Sequence, residues 1–179
     1  MLTFQRYVFA AIIPLNLLCI VWVWFGRTVF GVGGWMVLLL TFVAPILLVA
    51  LGLTTVLAFV QRIPYECGWI TPAQAVAHVI MWTAMICHGG FLVDFGDAPE
   101  SDGSVLTQII GRSDATLDAS ALLAMICAVG ALACYVWLLV LLLIGVRNRP
   151  KPPAASGPSG PFAVRPGQPP PRPPAPPWG

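Results

Sequence analysis

The sequence predicts an all-α membrane protein, a four-helix transmembrane bundle followed by a disordered proline-rich C-terminal tail. Hydrophobic residues make up 58% of the 179 and charged residues 9%, with a mean hydropathy of +0.86, so the solvent of this fold is lipid. Four apolar runs lie within residues 1–149, each near the roughly twenty residues that a bilayer span needs. From Pro150 the composition changes abruptly, and 13 of the last 30 residues are proline, a segment that cannot bury a core.

The first run, 7–25, follows Arg6 and ends in Trp22-Val23-Trp24-Phe25 without a small-x-small cleavage site, which reads as a retained anchor and not a secretory signal. Pro14 and Asn16 inside it are tolerable where a neighbouring helix takes up the freed carbonyl and the amide. The second run, 35–60, exceeds a hydrocarbon core of about 30 Å, and tilt or a kink at Pro45 absorbs the surplus. Thr71-Pro72 then restarts the chain with an N-cap and a proline at the first helical position. The third run, 73–93, is the least apolar, carrying Gln74, His78, Thr83 and His88. An outer loop at 95–117 separates it from the fourth run, 119–146, whose ends are complemented by Asp114 or Asp118 and by Arg147 and Arg149. Within that loop, 105–110 reads as an interfacial turn.

Orientation follows from lysine and arginine in the short loops. With four spans, Arg6, Arg62, Arg147, Arg149 and Lys151 share one side, and Arg27 and Arg112 share the other. The expected location is a cell inner (plasma) membrane, multi-pass, with both termini cytoplasmic. Spaced tail arginines make no stacking basic surface, so no nucleic acid is expected as a partner. The tail should be extended and polyproline-like, either a spacer or a ligand for an aromatic groove through Pro170, Pro171, Arg172, Pro173 and Pro174.

Side chains able to carry chemistry concentrate in the third and fourth runs. Ser120, Ala124, Cys127, Ala131 and Cys134 recur at spacings of four, three, four and three, a small-residue seam for close helix packing whose partner the sequence leaves open. His78 and His88 lie ten residues apart, about 80° and 15 Å from one another on a helix, so they cannot ligate one metal or one haem together. Cys19, Cys87, His88 and Cys127 share a depth of about 10–14 Å from one face and form a soft ligand set suited to zinc or cuprous copper. The plainer reading makes the thiols packing residues and bonds His88 to a neighbouring carbonyl. Proton movement past His88 toward Asp94 and Asp97 is a further expectation, resting on the cost of an imidazole in lipid. Asp94-Phe95-Gly96, the acidic stretch 97–103 and Gly103-Ser104 each lack the companions that a kinase triplet, a calcium loop or a nucleophile elbow requires. No CxxC occurs, which excludes the paired-thiol chemistry of membrane disulfide-forming enzymes.

No cofactor is identified and no catalytic residue is nominated. The chain is expected to be a non-enzymatic accessory or scaffolding component of a bacterial inner-membrane complex. Its expected partners are the lipid bilayer, other membrane proteins and a cytoplasmic partner for the tail. The alternative is a small transporter or a metal- or haem-handling protein using His88 and the intramembrane cysteines.

Overall fold

A computed structural model describes residues 2–62, 70–95 and 102–148. The described chain is helical: α1 (Leu2–Phe25), the 3-10 turn η1 (Gly26–Phe30), α2 (Trp35–Arg62), α3 (Pro72–Phe91), the short α4 (Val105–Ile110) and α5 (Asp114–Arg147). Three helical segments, Leu2–Phe30, Trp35–Gln61 and Asp114–Arg147, are long and apolar enough to cross a membrane, which marks a membrane protein. α3 is not among them. The proline-rich segment, with Pro170, Pro171, Arg172, Pro173 and Pro174, lies outside the described residues.

The boundaries follow local chemistry. Thr71 caps α3 in a box with Gln74, and Pro72 opens the first turn, as the dipeptide predicts. α5 starts five residues before the expected position 119, because Ser113 and Thr116 form a capping box that apolar periodicity does not report. The stretch 105–110 is a single helical turn and a half, capped by Ser104 with Thr107. α5 also runs through Gly145 to Arg147, and Gln61 of α2 lies against that glycine.

Side-chain pairings give the arrangement. Asn16 meets Leu51 and Thr55, and Phe9 meets Phe59, so α1 and α2 run in opposite directions. Gln74 reaches the Leu141 carbonyl while His88 reaches that of Ala124, so α3 and α5 do the same. Trp22 and Asn16 meet Ile86 and Trp82, which makes α1 and α3 parallel. The four long helices form a ring in the order α1, α2, α5, α3, with α1 opposite α5 and α2 opposite α3. Of the four neighbouring pairs, α2 and α5 are the least closely packed.

α3 is amphipathic, with an apolar stripe facing outward and its polar residues facing the bundle. Its outward stripe is Val76, Val79, Ile80, Thr83 and Ile86, and the Thr83 hydroxyl is turned back onto the Val79 carbonyl. Its inward face carries Gln74, His78, Met81, Trp82, Met85 and Gly89. Gly89 sits where a Cβ would come within 2.8 Å of the Trp22 ring, whose indole N–H donates to the Ile86 carbonyl at 2.9 Å. Gly89→Ala should therefore push α1 from α3 and cost roughly 1 kcal/mol by overpacking. Reversible unfolding in mixed micelles, followed by tryptophan fluorescence, reads that loss; an unchanged midpoint would show the approach to be slack.

Candidate functional site

The polar side chains of the bundle are distributed along α3, and most are matched by a specific neighbour. At one end Gln74 donates to Gln61 Oε1 at 3.1 Å and to the Leu141 carbonyl at 3.2 Å, joining α3 to α2 and α5. One turn on, His78 Nδ1 lies 2.9 Å from the Gln74 carbonyl, and its buried Nε2 has no partner. Trp82, whose ring lies tilted against the His78 ring at 5.4 Å between centroids, donates its indole N–H to Asn16 Oδ1 at 2.7 Å. The Asn16 amide in turn donates to Thr55 Oγ1 at 3.0 Å. Buried groups of this kind need partners, and most of the polarity of α1 and α3 closes on itself between helices.

At the opposite end of the bundle Asp94 and Arg27 form an ion pair, 2.9 Å between Nη2 and Oδ2, with both side chains 1% exposed. Asp94 does more than neutralise a charge. Its carboxylate accepts the backbone N–H groups of Gly34 at 2.6 Å, Met36 at 3.0 Å and Phe95 at 2.9 Å, so it caps the start of α2 from a distant part of the chain. Arg27 Nη1 also donates to the Leu92 carbonyl at 3.3 Å. The Trp35 N–H bonds the Phe95 carbonyl, and Asp94 pairs by its backbone with Gly103. Gly34 is required here, because a Cβ would stand 2.5 Å from the Phe95 oxygen and 2.8 Å from Asp94 Oδ1. In the sequence Arg27 reads as a loop charge and Asp94 as part of an acidic segment and a proton-path candidate; their separation of 67 residues conceals the pair.

The seam of α5 meets α3 of the same chain. The Ser120 hydroxyl bonds the Phe91 carbonyl at 2.7 Å and shares a hydrogen bond with Ser104 Oγ, Ala124 is buried, and its carbonyl receives His88. Ala131 and Cys134 pack against the core further along. Of the proposed soft-ligand set, Cys87 and Cys127 are electrostatic neighbours across the α3–α5 contact. Cys19 is fully buried among the apolar residues of the core on α1, at the corner of the ring opposite α5. His88 is bonded through Nδ1 to a backbone carbonyl. Among the described residues no group of three His, Cys, Asp or Glu side chains gathers as a metal ion would need.

Where α2 and α5 pack least, the ring leaves a groove. It has a volume of about 310 Å³, within the range of small-molecule sites, and an almost wholly apolar wall. Leu40, Val43, Leu47 and Leu51 of α2 face Ala128, Leu132 and Tyr135 of α5, and Met81, Met85 and His88 of α3 form the floor. A shallower hollow beside Pro45, Val49 and Leu53 continues from it, sharing Ile46, Ala50 and Tyr135. Only two polar side chains line the groove, His88 and Tyr135. The His88 Nδ1–H donates to the Ala124 carbonyl at 2.9 Å, since a carbonyl can only accept, and the Tyr135 hydroxyl donates to the Ala50 carbonyl at 3.3 Å. The sequence places His88 at a functional depth, but the groove itself arises from the spacing of two helices that are not consecutive.

Comparison of the chain with known protein families, with curated proteins and with solved structures finds no match.

Proposed function

We propose that this chain is a four-span, non-enzymatic membrane protein that takes a lipid-soluble molecule into the groove between α2 and α5. The observation that carries the reading is the groove, a cavity of about 310 Å³ walled by aliphatic side chains and floored by Met81, Met85 and the anchored imidazole of His88. α3 as a fourth span is supported by its length, 20 residues or about 30 Å, and by its outward apolar stripe. Its mean hydropathy understates it, because hydropathy counts polar residues that here point inward. An inner-membrane location with both termini cytoplasmic is part of the same proposal. Its support is the uneven distribution of lysine and arginine, Arg6, Arg62, Arg147, Arg149 and Lys151 against Arg27 and Arg112.

An accessory role in a bacterial inner-membrane complex is a second proposal, and it rests on the 13 prolines of the last 30 residues as a tether or ligand for a cytoplasmic partner. The α5 seam lends it no support, being occupied by α3.

A hydrocarbon chain bearing a diazirine, reconstituted with the full-length protein in lipid nanodiscs, tests the groove. Crosslinks should concentrate between Val43 and Leu51 and between Ala128 and Tyr135. Ala128→Trp, which fills the groove without touching the α3 seam, should lower them about tenfold. Labelling spread evenly over every lipid-facing stripe, or indifferent to Ala128→Trp, would remove the proposal.

A further inference from the structure

We infer that the molecule held in the groove is an amphiphile with a hydroxyl-bearing head, which donates a hydroxyl hydrogen to His88 Nε2 while its hydrocarbon body lies along α2 and α5. This rests on the groove reading and adds the chemistry of the occupant. Both polar side chains in the wall have already committed their hydrogens, His88 Nδ1–H to the Ala124 carbonyl and Tyr135 O–H to the Ala50 carbonyl. An imidazole whose one ring proton lies on Nδ1 offers only a lone pair at Nε2, and a phenol that donates its hydrogen elsewhere offers only oxygen lone pairs. The groove thus presents acceptors and no side-chain donor. A ketone, ether or ester brought there would set acceptor against acceptor, and a carboxylate would add an uncompensated charge. A hydroxyl meets the one unfilled need.

Position agrees with chemistry. His88 stands three residues from the end of α3 at Phe91, about 4.5 Å along the helix axis, and the Asp94 that follows belongs to the polar end of the bundle. Tyr135 lies eleven residues beyond Ala124 on α5, about 16 Å deeper from the same end. A head group at His88 would sit near the membrane surface with its chain running inward past Leu47 and Ala50, the orientation of an amphiphile in a leaflet. A volume of about 310 Å³ lies at the small end of small-molecule sites, enough for a ring or for the first part of a prenyl chain. The hollow beside Pro45 provides for continuation.

An isoprenoid alcohol and a prenylated hydroquinone share this chemistry, and competition separates them. The protein in nanodiscs is labelled with the diazirine hydrocarbon in the presence of a fifteen-carbon prenol, its methyl ether, an alkyl hydroquinone or the corresponding quinone. The alcohol, the hydroquinone or both should displace the label at about tenfold lower concentration than the matched ether or quinone, the effect of one buried acceptor satisfied or left bare. His88→Leu should erase that preference, whereas Tyr135→Phe should keep it. Because the alcohol-to-ether ratio is measured on the unaltered protein, it decides even if His88→Leu does not fold. Equal displacement by alcohol and ether would overturn the hydroxyl assignment while leaving the groove intact; absence of localised labelling would overturn the groove reading instead. Stoichiometric copper or haem iron in purified protein, lost in His88→Leu, would also overturn the assignment, since Nε2 would then be a metal ligand.

Discussion

Asp94→Ala should be the most damaging single substitution in this protein, costing about 3–5 kcal/mol, because it leaves a fully buried guanidinium without its counter-ion. After the change Arg27 would keep only the 3.3 Å bond to the Leu92 carbonyl, and its Nε already has no partner. The N–H groups of Gly34, Met36 and Phe95 would lose their acceptor at the same time, loosening the start of α2. Arg27→Met should be milder, roughly 1–3 kcal/mol, since Asp94 would retain three backbone donors and the positive end of the α2 dipole. Folded yield and the midpoint of denaturation in mixed micelles measure the order of the two. The double variant should cost less than the sum, because removing both charges leaves no orphan. An Arg27→Met protein as unstable as Asp94→Ala would show that the carboxylate serves only the ion pair and not the helix start.

Asn16→Leu should cost about 2 kcal/mol although it makes α1 more apolar. The Asn16 side chain accepts the Trp82 indole N–H at 2.7 Å and donates to Thr55 Oγ1 at 3.0 Å, tying α1 to both of its neighbours. Leucine would leave a buried indole donor with nothing to receive it, and that desolvated group accounts for most of the loss. A second substitution isolates it: in a Trp82→Phe background the donor is gone, and Asn16→Leu should then cost less than half as much. The coupling read from this double-mutant cycle is the measurement. Additive losses would place the effect of Asn16 in packing alone. The expected size exceeds the average of about 0.6 kcal/mol for membrane hydrogen bonds because Asn16 makes more than one.

The contrast between these two sites shows where sequence reading succeeds. Asn16 stands out in an apolar run, and the need for a helix to satisfy its amide is visible without coordinates; which helix is not. The Thr71-Pro72 helix start was equally legible, since a cap acts over three residues. The start of α5 was misplaced by five residues because Ser113 and Thr116 extend the helix through a polar stretch that hydrophobicity ignores. Depth counting put Cys19, Cys87, His88 and Cys127 at one level, but level is set by sequence distance and azimuth by packing. The ring order puts Cys19 on α1 and Cys127 on α5 at opposite corners.

By itself, then, the sequence determined what depends on near neighbours and composition: three strongly apolar helices, the cap that begins α3, the polar character of α3 and the chemical break at Pro150. Only the tertiary structure decided what depends on the order of helices around the bundle. That order turned the polar face of α3 inward, brought Arg27 to Asp94 across 67 residues, spent the α5 seam on α3 and left α2 and α5 apart. The physical reason is that lipid rewards any apolar surface alike, so hydrophobicity can place a helix in the membrane without choosing its neighbours. Hydrogen bonds and close contacts between distant residues make that choice.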